Sequence, residues 1–442
     1  MMATLATAET SPLETETMRR VTWRILPFLM LCYFIAFVDR VNAGFAALQM
    51  NHDIGLSAAA FGLGGGLFYI SYVLCEVPSN LAMAKVGAKL WIARIMISWG
   101  IVAACMAFVV GPYSFYAVRL LLGAAEAGFF PGVILYLTYW FPSKYRGRIV
   151  ALFMVAIPLS SFFGSPISAS LLQLDGVLGF HGWQWMFVLE ALPAVILGVI
   201  SFFFLADGPA SARWLSDPQR QWLASRLADE NASPKATAKH LPLWQVMSNK
   251  YVLAASLIYA GASGASQCLS LWQPQIIKSF GLSNMQTGLL NSIPFGIASV
   301  LMILWGRSSD RSRERRWHTA LPLLLLAGSL GLAPLVGSLL PTILVLCVAV
   351  TATYIVKGPF WALATEWMSA GIAAAAIAQV NAIGNLGGFF GSYLLGAIKD
   401  ATGSYALGLL PLAGLSAVGC ILVVLLGRGE RREPSANLET VH

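Results

Sequence analysis

The sequence predicts an all-α integral membrane protein whose twelve transmembrane helices form two pseudo-symmetric six-helix bundles. Of its 442 residues, 57% are hydrophobic and 11% are charged, whereas soluble proteins carry about 25% charged residues. The mean hydropathy is +0.71. Apolar runs longer than about 18 residues recur along the whole chain, and each can cross a bilayer as a helix. A large soluble core is the poorer account of this composition.

The predicted spans fall into two sets of six. The first set covers residues 23–47, 57–82, 89–110, 113–140, 147–173 and 183–206, and the second covers residues 250–278, 284–306, 316–337, 341–367, 373–399 and 404–427. The chain therefore divides into an N-terminal tail (1–22), an N-terminal bundle (23–206), a linker (207–249), a C-terminal bundle (250–427) and a C-terminal tail (428–442). Within the linker, residues 218–230 form a basic amphipathic segment that we predict to be a surface helix.

The net charge of +8 is concentrated in alternate loops. Lysine and arginine follow the second, fourth, sixth, eighth and last spans and precede the first span, whereas the loops around His52, Pro112, His181 and Leu339 contain neither. This distribution follows the positive-inside rule and predicts that both tails and the linker are cytoplasmic. The first 17 residues lack a basic segment, so we expect no cleaved signal peptide. Topology explains the basic charge better than nucleic-acid binding does.

Ionisable residues lie deep inside two apolar spans. Asp39 and Arg40 lie within the first span, and Arg119 and Glu126 lie within the fourth. A charge near the middle of the hydrocarbon costs a few kcal/mol, so such residues are expected to face protein or water. Arg119 and Glu126 share one helix face, roughly 10 Å apart along the axis. The sequence therefore predicts a polar cavity, although this second pair could instead only tie helices together.

Other polar and aromatic residues inside the spans are candidates for the same cavity. They are Tyr72, Gln267, Gln273, Asn291, Asn381 and Asn385, with Trp272 and Trp361 as candidate walls. The amides suit hydroxyl recognition, but hydrogen bonding between helices is the alternative. The tryptophans could equally face lipid or the protein core. Three acids closer to span ends are expected at the interface or in ion pairs, namely Glu76, Glu190 and Glu366.

Lys357 lies in the tenth span, directly before the helix-weakening pair Gly358-Pro359. About 16 residues separate it from Pro341, which puts it roughly 24 Å into the span. Its ammonium group could reach the cytoplasmic surface along its flexible stem. The alternative is that it meets a carboxylate in the cavity.

The loops after the second and eighth spans repeat a pattern. Their shared features are small residues and basic residues, carried by Lys85, Gly87 and Lys89 in the first copy and by Gly306, Asp310 and Arg311 in the second. This pattern, repeated in two halves, resembles the gating loops of the major facilitator superfamily. The resemblance covers the chain from about residue 19 to residue 427. The first copy departs from the family pattern, because Ala84 stands where an acid is expected, which weakens the gating salt bridge of that half.

The fourth span narrows the resemblance. Arg119, Gly123, Glu126 and the following Gly128-Phe-Phe-Pro-Gly, together with Trp140-Phe-Pro and with Asp39-Arg40, are similar to the anion:cation symporter family. Bacterial tartrate-type permeases are the most similar group, through Trp361 after Gly-Pro-Phe and through Asn381 and Asn385 ahead of a glycine pair.

The resemblance implies a proton-coupled symporter that imports an organic (di)carboxylate, such as tartrate or a sugar acid, by alternating access. Arg40 would hold a substrate carboxylate through two hydrogen bonds. Glu126 and Asp39 would bind protons, and Arg119 would pair with Glu126. The other substrate-binding candidates are Tyr72, Arg119, Gln267, Trp272, Gln273, Lys357, Trp361, Asn381 and Asn385. We expect a monomer in the bacterial cytoplasmic (inner) membrane.

Three alternatives remain open from the sequence. A carrier for aromatic acids such as phthalate or hydroxyphenylacetate would also fit, given the tryptophans, and a transporter-like sensor would share the fold. An enzyme fits poorly, because all five histidines lie in loops or the tail and no nucleophile–base set occurs in the spans. The six cysteines lie in the spans without metal-ligand spacing. We therefore expect no metal and no cofactor, with the proton as coupling ion.

Overall fold

The helices follow the predicted spans closely. The computed structural model describes residues 11–232, 243–368 and 373–426. The first half contains α1 (Pro12–Asp53), α2 (Ala58–Val86), α3 (Ala88–Cys105), α4 (Pro112–Glu126), α5 (Phe129–Thr138), α6 (Ser143–Met154), α7 (Ala156–Leu171), α8 (Gly182–Phe204) and α9 (Asp217–Ala232). Helix α9 confirms the predicted linker helix.

The described residues of the second half also form helices. It contains α10 (Leu243–Met247), α11 (Lys250–Lys278), α12 (Asn284–Ser312), α13 (Arg316–Leu332), α14 (Leu339–Ile355), α15 (Lys357–Glu366), α16 (Ala373–Thr402), α17 (Tyr405–Gly408) and α18 (Leu410–Leu426). Eleven helical segments of the described chain are long and apolar enough to cross a membrane. Helix α16, with 30 residues, occupies the remaining predicted span.

The first helix is longer than predicted at both ends. Ser11 caps it, because its side-chain oxygen accepts the backbone N–H of Glu14, and Pro12 occupies the first helical position. Both features favour a helix start. Residues 12–22, assigned to the tail from sequence, therefore belong to the same helix as the first span.

The predicted fourth span (113–140) is confirmed as an apolar segment, Pro112–Thr138, long enough to cross a membrane, but its helix is interrupted in the middle. Helix α4 ends at Glu126, and α5 begins after Gly128, which has a left-handed φ of 87°. A glycine adopts this backbone conformation without strain. A Cβ on Gly128 would also lie 2.4 Å from the Ser79 hydroxyl oxygen on α2. The break places Glu126 at a helix end.

The packing divides the chain into two units. The first comprises residues 1–238 and 270–296, and the second comprises residues 239–269 and 297–442. In the first unit α3 packs along α8, α2 along α4, and α1 along α7 and α8. In the second unit α13 packs along α14 and α18. The middle segment, residues 270–296, contains the end of α11 and the start of α12, and it packs with the amino-terminal helices.

Gly123→Ala is expected to destabilise the first unit. A Cβ at Gly123 on α4 would lie 2.2 Å from both the Phe68 carbonyl oxygen and the Ser71 hydroxyl oxygen on α2. The helices must then separate, which typically costs about 1–3 kcal/mol. Thermal unfolding of the purified protein measures the loss. Gly147→Ala is the matched control, because its Cβ would meet nothing within 4 Å and should be neutral or slightly stabilising. Equal unfolding temperatures for the two variants would contradict this account.

Candidate functional site

One small cavity in the first unit brings together the four ionisable residues singled out from the first and fourth spans. Asp39 and Arg40 reach it from α1, and Arg119 and Glu126 reach it from α4. The complete lining is Asp39, Arg40, Phe68, Tyr69, Trp99, Arg119, Leu122 and Glu126. The side chains of three of these four ionisable residues are buried, and Arg40 is the partly exposed one. The cavity therefore combines two acids and two bases with aromatic walls.

Arg40 and Glu126 form the central ion pair. The Arg40 Nε donates to Glu126 Oε1 at 2.7 Å, and a terminal guanidinium nitrogen lies 2.5 Å from the same oxygen. The Glu126 side chain is 2% exposed and the Arg40 side chain 24%. Since both bonds end on one carboxylate oxygen, the guanidinium keeps further N–H donors. It can therefore contact a second anion from its exposed side.

Arg119 does not pair with Glu126, and that expectation from helical spacing is wrong. Its guanidinium donates instead to the backbone carbonyl oxygens of Gly64 and Gly65 on α2, both at 3.3 Å. It also lies 5.0 Å from the centre of the Phe68 ring. Shared position on a helix face does not decide the direction of a long side chain. The glycines allow close approach of the α2 backbone, and its carbonyl groups take the donors of Arg119.

Asp39 lines the same cavity as the ion pair and forms no salt bridge with the described residues. Its side chain is 3% exposed. Asn42, one turn later on α1, donates from Nδ2 to Asp39 Oδ1 at 3.4 Å. Asp39 Oδ2 is buried and has no hydrogen-bond partner among the described residues. Because an ionised carboxylate in such a place is unfavourable, Asp39 suits a group that exists as the neutral acid for part of a cycle.

Aromatic rings surround the Arg40 guanidinium. Its central carbon lies 4.8 Å from the Phe37 ring centre, 5.5 Å from that of Phe68 and 5.4 Å from that of Tyr72. The electron-rich faces of such rings attract a cation. Tyr72, a predicted substrate-binding residue, is thus next to Arg40.

A second polar cluster lies on the helices of the second unit. Gln267 on α11 donates from Nε2 to Asn385 Oδ1 on α16 at 3.0 Å and to Ser263 Oγ at 3.2 Å. Its Oε1 atom has no hydrogen-bond partner among the described residues. A Cβ on Gly388 would lie 1.6 Å from this oxygen, so the glycine makes room for it. Gln267 and Asn385, two separately predicted binding residues, are therefore in direct contact.

Lys357 contacts the same face of α11. Its ammonium nitrogen lies 3.4 Å from Ser266 Oγ and 4.4 Å from the centre of the Tyr354 ring. Helix α14 ends at Ile355 and α15 begins at Lys357, so the helix is interrupted where the sequence predicted weakness. These contacts favour an inward-pointing lysine over one that extends to the membrane surface.

The remaining predicted binding residues take part in packing between helices. Trp361 packs against Tyr259 with the two rings tilted and their centres 5.0 Å apart. Trp272 is fully buried and meets Phe61 edge-on at 5.2 Å, away from the lining of the ionisable cavity. Gln273 donates to the Asn291 backbone oxygen at 3.3 Å. Trp272 and Gln273 thus contribute to helix packing, which the sequence had left open as the alternative to substrate binding for both residues. Asn381 lies on α16, one turn before Asn385.

The predicted gating loops differ in their anchors. In the first copy, Gly87 joins α2 to α3 with φ 99°, and the Lys89 N–H donates to Asp207 Oδ1 at 3.1 Å. Asp207 thus places an acid in the loop where Ala84 supplies none. Lys85 lies in the last turn of α2.

The second copy forms its own salt bridge, in which Asp310 pairs with Arg315 at 2.8 Å. Gly306 has open space around it, and Arg311 is exposed in the last turn of α12. In the adjoining turn, burial raises the pKa of the Glu314 carboxyl, but hydrogen bonds from Trp317 and His318 outweigh it, and the net pKa is lowered.

Sequence reasoning missed one buried acid. Glu190 on α8 was expected near the interface or in an ion pair, but it is 5% exposed in the interior of the first unit. Ser168 on α7 donates to its Oε1 atom at 2.6 Å. The signal in the sequence was the number of serines in the fifth span, which supply hydrogen bonds to a buried partner.

The chain is similar to known membrane transporters over nearly all its length. The sequence profile described as Major Facilitator Superfamily matches residues 29–392. A relative from Agrobacterium vitis named "Putative tartrate transporter" is 50% identical over 418 residues, which cover 95% of this chain and 96% of the relative. A relative from Acinetobacter baumannii named "Quinolone resistance transporter" is 40% identical over 416 residues, which cover 93% of this chain and 95% of the relative.

A solved structure supports the fold. The crystal structure of a D-xylose-proton symporter has a TM-score of 0.68 and 16% identity, and the match covers 93% of this chain and 97% of that chain. At this identity the likeness concerns the fold alone. Together with the family profile and the relatives, it identifies the architecture as the twelve-helix fold predicted from sequence. The chain belongs to the major facilitator superfamily and is a multi-pass membrane transporter, not an enzyme.

Proposed function

We propose that this transporter is a proton-coupled symporter that imports an organic dicarboxylate, such as tartrate or a sugar acid, across the bacterial cytoplasmic membrane. The observation that carries the proposal is the Arg40–Glu126 ion pair in a cavity that also holds Asp39. The relative named for tartrate supports the substrate class. Both termini are proposed to be cytoplasmic, following the distribution of basic residues.

Competition for one guanidinium can couple a proton to an anion. In the structure the Arg40 guanidinium is bound to the Glu126 carboxylate. When Glu126 takes up a proton, its charge is lost and the ion pair weakens, which leaves the Arg40 donors for a substrate carboxylate. When the substrate leaves, Glu126 ionises again and recovers Arg40. The proton and the anion thus bind together and are released together.

Proton coupling also offsets the opposition of the membrane potential to the entry of an anion. An inside-negative membrane opposes the entry of an anion by about 2.3 kcal/mol per charge for every 100 mV. Two carboxyl groups, Asp39 and Glu126, can carry two protons, which would make the import of a dicarboxylate electroneutral. The carboxyls are close enough to interact and so titrate as a coupled set.

The sequence also supports a set of further substrate-binding candidates, namely Lys357, Gln267, Asn381 and Asn385. Lys357 supplies a positive charge for a second carboxylate. The amides of Gln267, Asn381 and Asn385 suit hydroxyl groups, and the unpartnered Oε1 of Gln267 is an available acceptor. A hydroxy dicarboxylate such as tartrate presents both kinds of group.

Lys357→Met is expected to discriminate between substrate classes. A hydrogen bond to a charged group contributes about 1.5–3 kcal/mol, so the apparent affinity for a dicarboxylate should fall roughly tenfold or more. The affinity for a monocarboxylate of similar size should change little. Competition by each acid against labelled substrate in proteoliposomes measures both. Equal losses for mono- and dicarboxylates would remove the support for a second carboxylate site.

Transport itself is tested with purified protein in proteoliposomes. A thermal-shift screen of tartrate, galactonate, phthalate and hydroxyphenylacetate first selects the ligand. An imposed pH gradient, alkaline inside, should then drive accumulation of that acid, and a protonophore should abolish it. Accumulation that ignores the pH gradient would refute proton coupling.

A carrier for aromatic acids is the second candidate. The relative named for quinolone resistance favours it, because quinolones combine an aromatic ring with a carboxylate. The rings of Phe37, Phe68 and Tyr72 around Arg40 could stack with such a substrate. Preferential stabilisation by phthalate or hydroxyphenylacetate would support this candidate. Absence of counterflow with every acid would indicate a sensor that does not transport.

A further inference from the structure

Glu190 is a buried acid that the proposed mechanism does not use. It lies near the middle of α8, and its side chain is 5% exposed. Its Oε1 atom accepts the hydroxyl of Ser168 on α7 at 2.6 Å. Its Oε2 atom is buried and has no hydrogen-bond partner among the described residues. A carboxyl group with one satisfied and one unsatisfied oxygen is only partly stabilised as an ion.

Glu190 and Asp39 are connected by a single side chain. Asn42 donates to Asp39 Oδ1 at 3.4 Å, and it also lies next to the Glu190 carboxyl. Asp39 interacts electrostatically with both Glu190 and Glu126. An asparagine amide has two N–H donors. It can therefore stabilise whichever of the two neighbouring carboxyl groups is ionised.

Asp39 and Glu190 would carry two negative charges if both were ionised. Within the described part of the chain, no lysine, arginine or histidine forms a salt bridge with Asp39 or Glu190. Of the two cations in the cavity that Asp39 lines, Arg40 is already bound to Glu126, and Arg119 donates to the backbone carbonyl oxygens of Gly64 and Gly65. Two carboxylates that share one site do not both ionise readily. At least one proton must then remain on the pair to avoid two uncompensated buried charges.

The groups near Asp39 and Glu190 come from several helices. Helix α1 contributes Asp39 and Asn42, and α7 contributes Ser168. Helix α3 contributes the Trp99 indole next to Asp39. At the far end of α8, Asp53 and His181 pair with each other at 3.4 Å. Asp39 is therefore the acid that we pair with Glu190.

We propose that Glu190 is a third proton-binding residue of the transport cycle and shares a proton with Asp39 across Asn42. The inference rests on the proposed proton-coupled transport. In each exchange an O–H bond breaks on one carboxylic acid and an O–H bond forms on the other carboxylate, so the exchange itself leaves the charge of the pair unchanged. That charge changes only when the pair takes up a proton from one side of the membrane or releases it to the other. Glu190 thereby holds a proton behind the cavity while Asp39 is ionised and Glu126 responds to the substrate.

Glu190→Gln tests the proposal, because glutamine keeps an acceptor for Ser168 but cannot bind a proton. Infrared difference spectra between acidic and alkaline pH, recorded on the reconstituted protein without substrate, report protonated carboxyl groups directly. We expect the variant to lose one pH-dependent carboxylic acid band, and Glu190→Asp to restore a shifted one. Ser168→Ala is the control that removes the hydrogen bond but keeps the acid, so its pH-dependent band should remain.

Transport with labelled tartrate gives the second readout. If Glu190 carries one coupled proton, the accumulation ratio of Glu190→Gln should fall about tenfold for each unit of pH gradient. Counterflow, which needs no net proton movement, should persist. If Glu190→Gln does not fold, both the infrared and the transport measurements are made on Asn42→Ala. This variant removes the amide that contacts Asp39 and should shift the same carboxylic acid band.

The outcomes separate the two proposals. A wild-type protein whose tartrate accumulation ignores the pH gradient overturns proton-coupled tartrate import itself. A coupled wild type whose infrared bands and accumulation match those of Glu190→Gln overturns only the role of Glu190, which is then a permanently neutral structural acid.

Discussion

Glu126→Gln is expected to abolish proton-driven accumulation while leaving exchange of substrate across the membrane. Glutamine can still accept a hydrogen bond from Arg40 but cannot bind or release a proton. Loss of one coupled proton removes about 2.3 kcal/mol of driving force for every 100 mV, a decrease of roughly 40-fold in accumulation. Uptake into proteoliposomes, measured across a series of pH gradients, reports the loss. Counterflow measured in parallel separates a coupling defect from a binding defect.

A matched control for this variant is Glu366→Gln. Glu366 is an exposed acid at the end of α15, outside the ionisable cavity. The same change of charge there should leave the dependence on pH gradient unaltered. If Glu126→Gln still accumulates substrate with the wild-type pH dependence, Glu126 is not the coupling residue.

Arg40→Met is expected to have the largest combined effect on binding and stability. It removes the proposed carboxylate ligand and leaves Glu126, which is 2% exposed, without its cation. Removing one partner of a buried ion pair lowers the free energy of unfolding by about 3–5 kcal/mol. A loss of about 3 kcal/mol is expected here, because the Arg40 side chain is 24% exposed. Thermal unfolding should reveal this loss, and ligand-induced stabilisation should disappear.

The double variant Arg40→Met with Glu126→Gln provides the control. Removing the orphaned acid should recover much of the stability, because the cost lies in the unpaired buried charge. Binding should not recover, since the guanidinium is still absent. A double variant as unstable as the sum of the two single variants would mean that the ion pair contributes no coupling. Arg40→Lys would add a test of geometry, because lysine keeps the charge but lacks the planar fork.

Much of the fold was predictable because the requirement for a membrane helix is local. An apolar run of sufficient length satisfies its own backbone hydrogen bonds and needs no distant partner to be recognised. The breaks were less predictable. The pair Gly358-Pro359 predicted the interruption of the helix near Lys357, since proline removes a backbone hydrogen-bond donor. The break at Gly128 did not stand out among the other small residues of its span, because nothing local showed that this glycine adopts a left-handed φ.

The site was only partly predictable. Burial of charge is costly, so Asp39, Arg40, Arg119 and Glu126 could be selected from sequence as residues that face a cavity. The sequence could not show which of these residues pair with each other, because Arg40 and Glu126 are 86 residues apart. Arg119 had an apparent partner on its own helix but bound backbone carbonyls of α2 instead. Glu190 was undervalued because its distance from a span end gave no information about its neighbours.

The amino-acid sequence by itself determined that the chain crosses the membrane repeatedly and that a few ionisable groups must be shielded from lipid. Both follow from the free energy of transferring each residue from water into hydrocarbon, which depends on composition and spacing alone. Only the tertiary structure decided which acid holds Arg40, which carboxyl groups lack a cation and which amide connects them. Those outcomes depend on distances between side chains from different helices, and hydrogen bonds and ion pairs change steeply over a fraction of an ångström to a few ångströms.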